Sequence, residues 1–256
     1  TTDKKYLKKI IKIINDEKID YILPFNDFDI KFIIDNHNIL SKKTNFFLSN
    51  EKSLSLSLNK ILTKNVLNQI NLKNPKNFKI DSVKLKDFPL IAKKTGNKDP
   101  VTKGFNLIKN FKDLKRFKQN NQLYEKFIKG TEYTTDVLCD KYNNPVFIIP
   151  RIRISTRAHV SDKGVTIYDK SIISDAKKII KKFNIIGLAN LQCIKMNNKN
   201  YWTDINLRIS GGIPLFIKSA NNFFDKFYKA LNNKSMNFNP KNQKYGIYMS
   251  KYEEVV

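Results

Sequence analysis

Cysteine and histidine are nearly missing from this chain, with two of each in 256 residues. Two thiols, Cys139 and Cys193, cannot build a disulfide scaffold. Each sits inside an apolar, strand-like run, so buried reduced thiols and a cytoplasmic setting are expected. His37 reads as a surface residue. His159 sits in a polar stretch with no cysteine or second histidine as partner, which argues against a zinc centre, and no Ser-His or Cys-His pair offers an activated nucleophile. No apolar run is long enough to span a bilayer, and no signal-peptide pattern opens the sequence. Acids are scarce as well: 23 Asp and Glu face 48 Lys and Arg, a net charge of +25. That charge invites a nucleic-acid partner, but the lysines are scattered through nearly every segment alongside heavy use of Asn and Ile. The pattern is a general compositional bias rather than one basic patch, so dedicated nucleic-acid binding is not expected, whereas attraction for polyanions such as ATP is.

The apolar pattern divides the chain. Residues 4–17 (KKYLKKIIKIINDE) have helical spacing with lysines on the opposite face. Ile19-Asp-Tyr-Ile-Leu-Pro24 reads as a short buried strand, followed by the acidic turn Asn26–Asp29 and a helix to about Asp35. This β-α piece reads as the later half of a small α/β domain that begins before Thr1. Residues 51–70 read as one leucine-spaced helix containing Asn59-Lys60. A strand at 89–94 ends in lysines and runs into the loop Thr95–Gly104, with a helix over roughly 110–119. Strand, basic Gly-containing loop and helix is an arrangement that cradles phosphate. Next come a strand at Leu123–Ile128, a hairpin of Glu132–Asp140 with Pro145–Ile154, and a long polar loop carrying Arg157, His159 and Lys163. A helix at 174–184, a strand at Ala189–Met196, an Asn197-Asn198 turn and a strand at 199–208 follow. Residues 214–232 read as mostly helical, with a short strand near Tyr245–Met249.

The stretch Tyr201-Trp-Thr-Asp-Ile-Asn-Leu-Arg-Ile-Ser-Gly-Gly212 concentrates the chemistry. Asp204, Asn206 and Arg208 alternate, so an extended strand points all three to one face. A carboxylate and an amide oxygen make a hard-oxygen site suited to Mg²⁺, and a neighbouring arginine suits phosphate. Ser210-Gly211-Gly212 then stops the strand and lets backbone come close to a ligand. Taken alone, the triplet reads more readily as an exposed strand face with a local salt bridge. Arg151, Arg153 and Arg157 alternate in the same way and fit either a carboxylate or acyl-phosphate site or a basic solvent face, and Lys163-Gly164 could extend that surface.

The order of these motifs resembles the ATP-grasp superfamily, in the branch of the carbamoyl phosphate synthetase large chain. Its most specific parts are Glu125-Lys-Phe-Ile-Lys-Gly-Thr-Glu132 and Tyr201–Gly212, and it covers nearly the whole chain. The resemblance implies an α+β ATP-grasp fold. Residues 1–50 would be the C-terminal part of an N-terminal α/β domain, 51–122 a first lobe, and 123–256 the hinge and second lobe. It implies an ATP-dependent ligase that activates a carboxylate as an acyl phosphate for attack by an amine, with ATP and Mg²⁺ (or Mn²⁺) and possible homodimerisation. Lys60, Lys93 and Lys103 match phosphate contacts. Glu125, Lys126, Phe127 and Ile128 match the adenine hinge, and Glu132 the ribose acid. Gln192, Asp204 and Asn206 match the metal side; Arg208 matches the arginine on the transferring phosphoryl group, with Arg153 facing the acceptor. The sequence departs from the family at Lys94 and Leu207, where proline is usual, and at Asp204, where glutamate is commoner. The loop at 95–104 contains Asp99-Pro100 and lacks a Gly-Ser-rich core. These departures keep a second reading open, a catalytically weak nucleotide-binding or regulatory module.

Overall fold

In the computed structural model, residues 4–94, 105–118, 122–157 and 160–252 are described. The N-terminal part consists of α1 (Lys4–Asp16), β1 (Tyr21–Ile22), α2 (Asp27–Asp35), α3 (His37–Leu40) and β2 (Asn45–Phe46), with β1 and β2 paired in parallel. The apolar face of α1 packs Leu7, Ile10 and Ile14 against Phe32 and Leu40. α2 begins at a capping box: Asn26 accepts from the Asp29 N–H, and the Asp29 carboxylate accepts from the Asn26 N–H. The strand expected over Ile19–Pro24 forms a ladder at only two residues, and Pro24 has no N–H to extend it.

Two helices, α4 (Glu51–Leu58) and α5 (Lys60–Gln69), stand where one was expected. Asn59 makes the break. Its backbone is extended, and its side chain accepts from the Ile61 and Leu62 N–H groups, starting a second helix.

The next segment is a four-stranded antiparallel sheet in the order β3-β6-β4-β5. Its parts are β3 (Asn77–Phe78), β4 (Leu90–Lys94), β5 (Phe105–Ile108), α6 (Phe111–Arg116) and β6 (Gln122–Lys126). Leu90, Ala92, Ile108 and Tyr124 form its core with Leu114 of α6.

A larger antiparallel sheet follows, in the order β11-β10-β7-β8-β9-β12. It contains β7 (Thr131–Cys139), β8 (Pro145–Arg157), β9 (Val160–Thr166), β10 (Gly187–Met196), β11 (Lys199–Asn206) and β12 (Tyr248–Ser250). Its helices are α7 (Lys170–Phe183), α8 (Ile213–Ser219) and α9 (Phe223–Leu231). Alternation along the strands makes two cores. Val137, Cys139 and Ile148 join α7, Trp202 and the leucines of α4 and α5. Leu138, Phe147 and Ile149 join Phe216 and Phe223 of α8 and α9. The Asn197-Asn198 turn has both φ angles positive, 49° and 56°, which suits a tight hairpin of primed type.

The polar loop expected after Ile154 is instead strand: β8 runs on to Arg157, and β9 occupies 160–166. β9 is hydrogen-bonded on both sides, by β8 and β12, and its buried Ser161 accepts from Arg151. Cys139 and Cys193 are buried free thiols, and burial pushes both well above the usual thiol range. Among the described residues, no helix is long and apolar enough to cross a membrane.

Candidate active site

Between the small sheet, the large sheet and the start of α2 lies a cavity of about 750 Å³. Lys60, Lys93, Glu125, Lys126, Phe127, Ile128, Glu132, Arg153, Gln192, Asp204, Asn206 and Arg208 all line it. Lys103 and His159 lie outside the described residues, as does the loop at 95–104.

The first wall carries cations. Lys60 is the first residue of α5, and Lys93 stands near the end of β4. Both reach the carboxylate of Asp204 on β11: Lys60 Nζ is 3.7 Å from Oδ1, and Lys93 Nζ is 3.6 Å from Oδ2. Lys93 also lies 3.1 Å from Glu125 Oε2. Burial works against its charge, but Asp204 and Glu125 outweigh burial and hold the Lys93 ammonium above the usual lysine range. Glu125 is 3% exposed, so it is not a solvated strand residue but the buried anion that anchors this wall. Its other oxygen accepts from Lys64 at 2.7 Å, a residue that sequence reasoning passed over. In a chain with 48 Lys and Arg, the one signal was register: Lys64 sits four residues after Lys60 and three before the buried Leu67.

The hinge follows β6. Lys126 donates its backbone N–H to Lys76 O at 2.8 Å, and Phe127 donates to Pro89 O at 3.1 Å. The Lys126 ammonium caps the carbonyls of Asp87 and Phe88. These donors are therefore committed to holding the hinge itself.

The opposite wall comes from the large sheet. Gln192 on β10 faces Asp204 on β11 in register, with a register shift immediately after Gln192. Asn206 donates its amide nitrogen to Asn190 Oδ1 at 3.0 Å, while Asn190 donates to Arg208 O at 3.0 Å. This chain of bonds fixes the amide orientation of Asn206 and leaves its carbonyl oxygen as the end not engaged by Asn190. Alternation continues past the strand: Ile205, Leu207 and Ile209 are buried, while Asp204, Asn206 and Arg208 are half-buried.

Arg208 lies beyond the last residue of β11 and is held by the N-terminal part. Its Nε donates to Asp27 Oδ1 at 2.6 Å and its Nη1 to Phe25 O at 3.4 Å, while Ile209 N–H donates to Pro24 O at 3.1 Å. Glu132 on β7 is half exposed and pairs with Arg153 Nη1 at 3.2 Å. Burial draws the Arg153 guanidinium below its usual range, and Glu132 offsets part of that. Arg151 serves the framework instead of an acceptor. Its Nε donates to buried Asp136 at 2.7 Å and its Nη1 to Ser161 at 2.6 Å. Gly212 admits this guanidinium, since a Cβ there would lie 2.5 Å from it. Arg157 closes β8.

Among the described residues there is no cluster of three or more His, Cys, Asp or Glu that could hold a metal. The donors on β10 and β11 are one carboxylate and two amides, Asp204, Asn206 and Gln192, all offering hard oxygen. That set does not make an all-protein cage. It fits Mg²⁺ shared with phosphate oxygens, the usual mode for that ion.

A family model described as ATP-grasp in the biosynthetic pathway with Ter operon matches residues 118–255, more than half of the chain. The carbamoyl phosphate synthase large chain of Lachnoclostridium phytofermentans is 29% identical over an alignment of 110 residues that covers 39% of this chain and 10% of that protein. The biotin carboxylase of Campylobacter jejuni, solved as a β-γ-ATP complex, superposes with a TM-score of 0.77 at 15% identity, over 96% of this chain and 62% of that one. The biotin carboxylase domain dimer of the Hydrogenobacter thermophilus 2-oxoglutarate carboxylase, solved with MgADP, ADP and bicarbonate, gives 0.76 at 15% identity, over 94% and 60%. The chain thus spans about a tenth of the matched synthase and under two thirds of these carboxylases.

Proposed function

The chain belongs to the ATP-grasp family and has its α+β fold, and on that premise we propose that it is a Mg-ATP-dependent ligase. It would activate a carboxylate as an acyl phosphate for attack by an amine. The observation that carries this reading is the cavity, because every described residue expected to touch nucleotide, metal or phosphoryl group lines it.

In this reading Lys93 and Lys60 leave Asp204 for the phosphates of ATP, and Asp204, Asn206 and Gln192 turn their oxygens to the metal. Mg²⁺ held there supplies neutralisation of the phosphate charge. Adenine enters the slot of Phe127 and Ile128. With the Lys126 and Phe127 N–H groups already donated, the peptide of Ile128 is left for the base. Glu132 accepts from the ribose hydroxyls once Arg153 moves to the substrate carboxylate. Arg208, pinned through Nε by Asp27 and through Nη1 by the carbonyls of Phe25 and Ile209, turns Nη2 to the γ-phosphoryl oxygens, where charge builds during transfer. No side-chain nucleophile is required.

The test is release of ADP from ATP by purified protein across panels of carboxylates and amines. ADP release that depends on one carboxylate supports the ligase. Tight Mg-ATP binding with no turnover on any carboxylate favours a nucleotide-binding regulatory module instead, a reading that the single, lysine-paired carboxylate at Asp204 keeps in view.

A further inference from the structure

Lys64 is buried behind the cleft wall at 3% exposure, as deeply as Glu125. Its ammonium has three protons and three acceptors: Pro75 O at 2.6 Å, Glu125 Oε1 at 2.7 Å, and Asn77 Oδ1. An ammonium taken from water is costly even when fully bonded, and an unbranched apolar side chain would fill the same space without that cost. Burial indeed draws the Lys64 pKa down, against the pull of Glu125. Packing alone therefore does not explain a lysine here.

Its partner suggests the reason. Glu125 stands between two ammoniums, with Oε1 on Lys64 and Oε2 on Lys93, and Lys93 reaches on to Asp204. Resting on the reading of the cleft as an ATP site, we infer that Lys64 is a positioning residue that holds Glu125 in place and shares its charge, keeping Lys93 available to phosphate. Without Lys64, Glu125 becomes the full counter-ion of Lys93 and draws that lysine back into the wall. The line Lys64, Glu125, Lys93, Asp204, Lys60 carries one net positive charge, and loses it with Lys64. Lys64 touches no part of the nucleotide in this arrangement; it acts through Glu125.

The experiment compares ADP with adenosine, since only ADP carries the phosphates that Lys93 would hold. Affinities for both are measured by calorimetry on wild type, Lys64→Met, Glu125→Gln and the double variant. Lys64→Met is expected to weaken ADP roughly 10- to 100-fold, the span of a lost charge-assisted hydrogen bond, and to leave adenosine within about twofold. In the Glu125→Gln background, Lys64→Met is expected to leave the ADP-to-adenosine ratio unchanged, because the residue it acts through is already neutral. That comparison stands even if Lys64→Met alone, with one oxygen of a buried carboxylate left without its donor, fails to fold. Equal weakening of adenosine and ADP would reduce Lys64 to a structural role and overturn the inference. So would a changed ratio between Glu125→Gln and the double variant. Wild-type protein that binds neither ligand would overturn the reading of the cleft itself, and this inference with it.

Discussion

Arg208 gives Nε to Asp27 and Nη1 to the carbonyls of Phe25 and Ile209, and Asp27 and Phe25 lie more than 180 positions away in the chain. An arginine fixed this way presents its remaining N–H groups in one direction, which a lysine cannot do. Arg208→Lys is therefore expected to lower kcat about 10²-fold with little change in the KM for ATP. Steady-state kinetics checks this; a change confined to KM would place Arg208 in ground-state binding. Asp204 and Asn206 were legible because period-two alternation between buried Ile205, Leu207 and Ile209 leaves them facing the cleft. Lys64 was not, because its meaning comes from Glu125, 61 residues away, and from Pro75 O and Asn77. No local pattern encodes such a long-range match. Asp27 was visible as part of an acidic turn, but its bond to Arg208 joins two ends of the chain.

At the scale of elements, α7 shows how a single cap couples helix and sheet. Asp169 Oδ1 accepts from the Ser171 and Ile172 N–H groups, and Oδ2 accepts from Lys195 on β10. Burial alone would raise its pKa, but the bonds from Lys195, Ser171 and Ile172 outweigh burial and hold it below the usual carboxylate value. Asp169→Ala is expected to cost about 1–2 kcal/mol. Because the folded pKa is depressed, the contribution is fully present above about pH 4, the unfolded value, and is lost as pH falls through the folded value. Denaturant titrations of wild type and Asp169→Asn should converge at acid pH; a gap that persists there would mean the charge is not the source. Helices of this kind were legible from spacing, though α7 begins at Lys170, four residues ahead of the expected start. The strand β9 was not: Ser161, Asp162, Lys163 and Gly164 read as loop chemistry, and only pairing with both β8 and β12 makes them strand. The break between α4 and α5 has a similar origin. Asn59 caps from its side chain, an option that leucine periodicity does not reveal.

Across the whole molecule, the contacts that close the cleft are ionic. Lys93 comes from the small sheet and Asp204 from the large one, with Lys60 of α5 beside them, so the two sheets meet at the very groups assigned to phosphate and metal. Ligand that binds only this folded arrangement must stabilise it by mass action, about 2.7 kcal/mol at a concentration 100 times Kd. A thermal shift with ATP that Mg²⁺ enlarges in wild type but not in Asp204→Ala is the expected outcome. The scattered charge of +25 predicts a weaker background attraction for nucleic acids that fades as salt is raised. Sequence-specific binding that survives at high salt would reopen the nucleic-acid reading.

The account stands most directly on one calorimetric titration of ATP into wild type, Lys93→Met and Asp204→Ala, each with and without Mg²⁺. It predicts one saturable site in wild type that is strengthened by Mg²⁺, weakened in Lys93→Met, and insensitive to Mg²⁺ in Asp204→Ala. No binding to wild type, or equal Mg²⁺-strengthened binding in all three proteins, would contradict it.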